Sequence, residues 1–341
     1  MLKNIAKPGL GGGNVIMAAD RPLVAVLDEG YGSYAIEHDV LASAGATLEV
    51  RPCGGRADAV RTAVRDAVAV LVRETPVDAA AIGGADRLRA IVRYGVGVDN
   101  IDLDAAAARR IYVANVPDYA TEEVSDQALA LLLAVVRRVV TRDRAVRAGA
   151  WNVARSEPMY RLAGKTLGLI GYGRIGRAFH RKARALGFAR TLVFDPGCEV
   201  PPESAELTDV PTICRRAEVI SLHAPLTRAT RHVIGAAELA LMKPTAVLVN
   251  ASRGGLIDEA ALAAALAEGR LFGAGLDVFE REPPVGSPLL DRPEVVLSDH
   301  TGWYSEESVA DLQRRAAEEV VRVLRGETPR NWVNSWTTGE S

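Results

Sequence analysis

The segment LGLIGYGRIGRAF, residues 167–179, spaces three glycines as G-x-G-x-x-G at Gly171, Gly173 and Gly176. Alone the string is weak evidence, since clustered glycines also mark ordinary turns. Its neighbours make it specific. Thr166 to Ile170 is an apolar run of strand length, and Arg174 to Leu186 continues in the pattern of a helix. A second strand, TLVF, then ends in Asp195, nineteen residues past Gly176. In that setting Gly171 permits a tight turn, Gly173 lets backbone approach a pyrophosphate, and Gly176 lets helix and strand pack closely. The helix start offers unbonded N–H groups and a positive dipole end to phosphate oxygens. Asp195 would accept hydrogen bonds from the adenosine ribose, and its charge repels a 2′-phosphate. Pro196-Gly197 supplies no arginine to welcome one, so the site favours NAD over NADP.

Outward from this motif, strands are expected at 166–170, 191–194, 218–222, 245–249, 272–276 and 294–297, separated by helix-length segments. An earlier block repeats the alternation: strand Leu23 to Leu27, helix Tyr34 to Ser43, strand Thr47 to Val50, helix Ala57 to Ala67, then extended runs at Val68 to Val72 and Ile91 to Tyr94. Such alternation is the signature of βαβ units, so two α/β domains with parallel sheets are expected, Rossmann-like or flavodoxin-like. Between the blocks lies EEVSDQALALLLAVVRRVVTRDRAVRAGAW (122–151), whose centre is apolar on nearly every side. A helix of that kind should be buried on more than one face, between domains or between subunits, and a homodimer is expected. The helical segment Ser305 to Leu324 returns after the second block and could pack back on the first, making that domain discontinuous.

Bulk properties set the class. The chain has 341 residues, 25% of them charged, and a net charge near −2 without a basic stripe, so neither nucleic acid nor a membrane surface is an expected partner. No apolar run reaches membrane-spanning length. Cys53, Cys198 and Cys214 are too scattered for a disulfide framework or a metal cluster, and a reducing cytoplasm is the expected setting. Residues 1–20, MLKNIAKPGLGGGNVIMAAD, lack the apolar core of a signal peptide and read as a flexible arm.

Ligands of open parallel sheets bind beyond the carboxyl ends of strands. In the second block those ends carry Arg253 in LVNASRGGLIDEA, Asp277 and Glu282 in GLDVFEREPP, and His300 in LSDHTGW. Hydride transfer to a 2-oxo acid needs a cation for its carboxylate and polarised carbonyl, and an acid for the developing alkoxide. Arg253 can grip oxygen atoms in a fork. His300 changes protonation near neutral pH, and Glu282 in contact with it would favour the imidazolium. Asp277 could hold the nicotinamide carboxamide, and the end of SLHAPL at His223 could border the nicotinamide. In the first block, RYGVGVDNID (93–102) follows a strand, and Gly95 and Gly97 would leave consecutive N–H groups free for a carboxylate. An ordinary strand-to-helix turn fits the same residues.

With these segments side by side, the chain resembles the D-isomer-specific 2-hydroxyacid dehydrogenase family from about residue 22 to 330. The likeness is carried by GVGVDNID, NVPDYATEEVSDQALALLL, GLIGYGRIG, LHAPLT, LVNASRGGLIDEAAL, GLDVFEREPP and the His300 loop. It implies an NAD-dependent enzyme interconverting a 2-oxo acid and a D-2-hydroxy acid, in which Arg253, Glu282 and His300 match the catalytic Arg, Glu and His. It implies a nucleotide domain of 119–303 inserted into a substrate domain of 21–118 and 304–341, an active-site cleft between them that closes to exclude water, and dimers formed through the nucleotide domains.

The cofactor residues it implies are Gly171, Tyr172, Gly173, Arg174, Ile175, Gly176, Asp195, His223, Ala224, Pro225, Ala251, Ser252, Asp277 and His300. Those toward the substrate are Tyr94, Gly95, Val96, Gly97, Arg253 and Trp303. The tail HTGWYSEES most resembles the C-terminal binding protein branch, where an aromatic residue after the histidine lines the substrate pocket, and Trp303 matches it. That branch includes NADH-sensing corepressors, so a regulatory protein with little turnover is the competing expectation. Asp299 is a departure, since many members carry proline before the histidine. Trp303 and Tyr304 suggest an apolar or thioether substrate side chain, and no basic cluster near 93–102, Arg93 aside, suggests a phosphorylated one.

Overall fold

A computed structural model describes residues 21–151, 157–198 and 205–336, and the arm expected over 1–20 lies outside them. The chain divides into two compact units, Asp118–Val309 and the described residues on either side of it. In the first unit the elements are β1 (Leu23–Val26), α1 (Ala35–Ala42), β2 (Thr47–Val50), α2 (Ala57–Val64), β3 (Ala69–Val72), α3 (Ala79–Gly83), β4 (Ala90–Arg93), α4 (Leu103–Ala108) and β5 (Tyr112–Ala114). The second unit begins with α5 (Thr121–Val136), α6 (Val139–Arg147), β6 (Thr166–Ile170), α7 (Arg174–Ala183), β7 (Arg190–Phe194) and β8 (Ala205–Leu207). It continues through α8 (Val210–Arg216), β9 (Val219–Leu222), α9 (Ala236–Leu241), β10 (Val247–Asn250), α10 (Glu259–Ala267), β11 (Gly273–Leu276) and β12 (Val295–Leu297). The unit boundary falls inside α11 (Glu306–Leu324).

Both sheets are parallel throughout their described pairings. The first is ordered β2-β1-β3-β4-β5 and the second β12-β11-β10-β9-β6-β7-β8. Parallel strands are covered on both faces, and the side-chain alternation shows it. Leu167, Leu169, Val193, Val247 and Val249 share a core with Leu131 of α5 and Phe179 of α7. The intervening Leu192, Ile220, Leu222 and Leu248 share another with Ile213, Leu239 and Leu262 of α8, α9 and α10. In each sheet the chain winds one way and then the other. The order reverses between β1 and β3 in the first unit and between β6 and β9 in the second, and such reversals open crevices at the carboxyl ends of strands.

The stretch expected as one long helix is two. Arg138 adopts the left-handed conformation, φ 54°, and its guanidinium lies 4.0 Å from the centre of the Phe272 ring, which holds the break. Burial of α5 is explained inside its own unit. Ala128, Leu131, Leu132, Val135 and Val136 are buried, and glycines on β11 let the helix come close. A Cβ at Gly275 would lie 2.8 Å from Leu131 Cβ, and one at Gly273 2.9 Å from Val135 Cγ1. Apolar periodicity does not reveal α3 and α4, short alanine-rich helices without an amphipathic stripe, each started by an aspartate side chain. Asp78 accepts the Ala81 N–H and Asp102 the Ala105 N–H, both typical N-cap bonds. Gly275→Val should force α5 off the sheet and lower stability by about 1–3 kcal/mol, read as a lower urea midpoint with an unchanged slope.

Candidate active site

At the second crevice the glycine loop is fixed by contact. Gly171 has φ +93°, and a Cβ there would lie 2.5 Å from the carbonyl of His223 and 2.6 Å from the nitrogen of Ala224, so the ends of β6 and β9 meet as only glycine allows. A Cβ at Gly176 would lie 2.5 Å from Gly171 O, whereas one at Gly173 would meet no described atom within 4 Å. Two glycines therefore serve packing, and the third keeps backbone bare on the open side. Among the described residues no side chain caps α7, which begins at Arg174 after Gly173, so its first amides remain for an anion.

Asp195 ends β7 with both oxygens oriented. Oδ2 accepts the Tyr172 N–H at 2.5 Å and Oδ1 the Gly197 N–H at 2.8 Å, which leaves lone pairs for ribose hydroxyls. These features fit the adenosine diphosphate half of a dinucleotide. Beneath the loop, the Tyr172 hydroxyl bonds His180 Nδ1 at 2.8 Å and His180 Nε2 bonds Thr191 Oγ1 at 3.1 Å. Burial lowers the pKa of His180 and keeps it neutral. No motif announces these partners, because the tyrosine is eight residues away and the threonine sits on a different element.

His223 is held by Ser221, Oγ to Nε2 2.9 Å, and its buried Nδ1 has no partner among the described residues. Burial pushes its pKa down to about 3, so the ring stands neutral at the crevice beside Ala224 and Pro225. One strand further on, Asn250 organises the next loop. Its Nδ2 donates to Arg253 O at 2.8 Å and its Oδ1 accepts the Ser252 N–H at 3.0 Å, while the Ser252 hydroxyl donates to Leu222 O at 2.8 Å. Ala251, Ser252 and Arg253 are thus set by an asparagine that no sequence pattern singles out.

The structure brings Glu282 and His300 into contact, with Arg253 near enough for its charge to act on both. His300 Nδ1 and Glu282 Oε2 are 2.6 Å apart, and Glu282 Oε1 accepts the Phe279 N–H at 3.0 Å. The bond to Glu282 raises the pKa of His300 against burial and the charge of Arg253. Burial acts to raise the pKa of Glu282, but the bonds from His300 and Phe279, with the Arg253 charge, outweigh it and leave it lowered. Both shifts favour the imidazolium–carboxylate form of the pair.

His300 itself has φ 58°, and Asp277 holds the loop that imposes this. Its carbonyl accepts the His300 N–H at 2.8 Å, and its buried carboxylate accepts the Ser298 hydroxyl at 2.6 Å, the Thr301 N–H at 3.2 Å and the Gly302 N–H at 2.9 Å. Gln127 of α5 donates to Ser298 Oγ at 2.8 Å and braces the clamp. Asp299 is exposed and accepts the Thr301 hydroxyl at 2.9 Å. Trp303 is half-buried, its ring 6.4 Å from that of Tyr119 and 5.8 Å from that of Tyr304.

Tyr94, Gly95, Val96 and Gly97 belong to the first unit, at the end of β4. Gly95 has φ +141°, and the N–H groups of Val96, Gly97 and Val98 donate to no backbone carbonyl among the described residues, an arrangement that suits an anion. Tyr94 is buried and its hydroxyl donates to Glu37 Oε1 at 2.7 Å, where Gln313 of α11 also donates.

Fold and site together define a dinucleotide-binding α/β oxidoreductase. A family model described as D-isomer specific 2-hydroxyacid dehydrogenase, NAD binding domain, matches residues 129–302. A glyoxylate reductase of Thermococcus litoralis is 42% identical over 79% of this chain and 83% of its own length. A D-3-phosphoglycerate dehydrogenase of Methanocaldococcus jannaschii is also 42% identical, over 80% of this chain and 52% of its own length. The crystal structure of a glyoxylate reductase from Paecilomyes thermophila superposes with a TM-score of 0.84 at 30% identity, covering 92% of this chain and 98% of the other. The chain belongs to the D-isomer-specific 2-hydroxyacid dehydrogenase family, and it is an NAD-dependent enzyme that interconverts 2-oxo and 2-hydroxy acids by hydride transfer. The competing expectation of a regulatory protein with little turnover is not favoured by these relatives.

The raised pKa of His300 fixes a sign. Reduction needs the imidazolium, so its rate should be level at low pH and fall as pH rises through a value above the ordinary histidine range. Glu282→Gln should move that fall to lower pH in the pH profile of kcat/KM, and an unmoved profile would separate Glu282 from the titration.

Proposed function

We propose that this enzyme reduces a small 2-oxo acid to the D-2-hydroxy acid with His300 as proton donor, Arg253 as carboxylate and carbonyl ligand, and Glu282 as the residue that orients and charges His300. The observation that carries this is the 2.6 Å contact of His300 Nδ1 with Glu282, with Arg253 near enough to act on both pKa values. Glu282 fixes the ring through Nδ1 and leaves Nε2 to face the reacting oxygen. NADH, when bound, supplies the hydride to the carbonyl carbon. As charge develops on the oxygen, His300 Nε2 delivers its proton there, and the Arg253 guanidinium stabilises the same oxygen. In the reverse direction the neutral imidazole takes that proton back.

The loop at Gly171, Tyr172, Gly173, Arg174, Ile175 and Gly176 would hold the pyrophosphate and Asp195 the ribose, with His223, Ala224, Pro225, Ala251 and Ser252 lining the crevice. Asp277 acts by shaping the His300 loop. The Gly95–Gly97 turn takes the substrate carboxylate, and Trp303 lines the substrate. The named activities of the relatives bracket the substrate class, from glyoxylate, without a side chain, to a phosphorylated three-carbon acid.

Two further readings go with this one. Val139 and Val146 on α6, each 53% exposed, and Trp151, 79% exposed, are uncovered apolar side chains of the second unit and support a homodimer through that unit. Cys53, Cys198 and Cys214 are thiols and not disulfide partners, which supports a reducing, cytoplasmic setting. Among the described residues no helix is long and apolar enough to cross a membrane.

His300→Asn should lower kcat for NADH-dependent reduction by roughly 10²–10⁴-fold, measured as NADH oxidation across a panel of 2-oxo acids, and near wild-type turnover would refute the assignment. Val146→Asp should shift the mass seen by light scattering from dimer to monomer.

A further inference from the structure

We propose that Glu280 is a positioning residue for proton transfer: it clasps the main chain of the loop that carries Glu282 and so sets the contact of Glu282 with His300. The inference rests on the proposed function, in which His300 gives the proton and Glu282 orients it.

Glu282 Oε1 accepts the N–H of Phe279, three residues back in its own loop, at 3.0 Å, and Oε2 meets His300 Nδ1 at 2.6 Å. The place of the carboxylate therefore follows the main chain over 279–282. That main chain leaves β11 through Val278 and Phe279, both buried, and runs against Gly254. A Cβ at Gly254 would lie 1.8 Å from the Phe279 carbonyl carbon and 2.4 Å from the Glu280 nitrogen. The residue after Arg253 thus touches the Glu282 loop directly. Among the described residues, however, no backbone hydrogen bond joins Gly254 to Phe279 or Glu280.

Glu280 supplies the tie. Its N–H donates to Glu259 Oε1 at 2.5 Å, and its own Oε1 accepts the Glu259 N–H at 3.0 Å, which closes a ring between the loop and the first turn of α10. Glu259 is held in turn by the Ser287 hydroxyl, which donates to Oε2 at 2.7 Å. The second oxygen of Glu280 lies 3.2 Å from His232 Nε2 and 3.5 Å from Arg231 Nη2. His232 has φ 52°, and its N–H donates to Gly255 O at 2.8 Å. One side chain therefore joins the loops that follow β9, β10 and β11. An ion pair at a surface adds little stability, but a carboxylate bonded to the main chain of a helix fixes where its loop lies. Proton transfer is sensitive to that placement, because donor and acceptor must already be aligned when charge develops.

The test uses the full-length enzyme, NADH and the 2-oxo acid it reduces fastest. Glu280→Ala should lower kcat about 10- to 100-fold and leave KM and the dissociation constant of NADH, read by protein fluorescence, unchanged. The fall of kcat/KM with rising pH should move to lower pH, because a loosened Glu282 favours the imidazolium less. Glu280→Gln keeps an acceptor for the Glu259 N–H and should restore most of both properties. The double variant Glu280→Ala/Glu282→Gln should turn over no more slowly than Glu282→Gln alone, since one residue acts through the other. Should the alanine variant not fold, Glu280→Asp, with its carboxylate drawn back, is read for the same shift of the pH profile. A profile that coincides with the wild type, or losses that multiply in the double variant, overturn the proposal whatever the thermal stability, and leave the dehydrogenase reading standing. An unmoved profile in Glu282→Gln overturns both.

Discussion

Everything in the nucleotide-binding unit is arranged around one close approach, Gly171 against the backbone of His223 and Ala224. Two parallel strands that lead their chains to opposite sides of a sheet leave a crevice where they part. Here the missing side chain lets the loop after β6 fold over the end of β9 without filling that crevice. The helix start, the carboxylate just past β7 and the neutral imidazole of His223 are thus carried at the carboxyl ends of three neighbouring strands.

The proton-transfer group is built on the same logic, with charge added. Glu282 favours the imidazolium of His300, burial and the Arg253 charge oppose it, and the bond to Glu282 prevails. A carboxylate alone would trap the proton, and an arginine alone would expel it. The bonds from His300 and Phe279, with the Arg253 charge, hold the Glu282 carboxyl below its usual range despite burial.

Much of this was legible in the sequence, and the misses have physical reasons. Periodicity located β6, β7, β9, β10, β11 and β12 within two residues at either end because buried parallel strands are continuous apolar runs. Glu282 and His300, singled out at strand ends, do meet in the structure, at 2.6 Å. Positioning residues were harder. Ser298 and Gln127 act on groups far away in sequence, and Asn250 acts on main-chain groups of a loop whose shape only the fold sets, so no spacing encodes them. The break at Arg138 was hidden because arginine is a good helix former, and the aromatic ring that holds its left-handed conformation is Phe272, in another part of the chain.

The histidine loop is held almost entirely by main-chain groups, since Asp277 takes the N–H of His300, Thr301 and Gly302 and uses one side-chain hydroxyl, that of Ser298. The N–H of Asp299 donates to no backbone carbonyl among the described residues, and its side chain turns to solvent. Position 299 therefore carries no backbone bond that a proline, lacking an N–H, would remove. Evolution can retouch the electrostatic surroundings of the acid–base residue at that point without disturbing the geometry that makes it work.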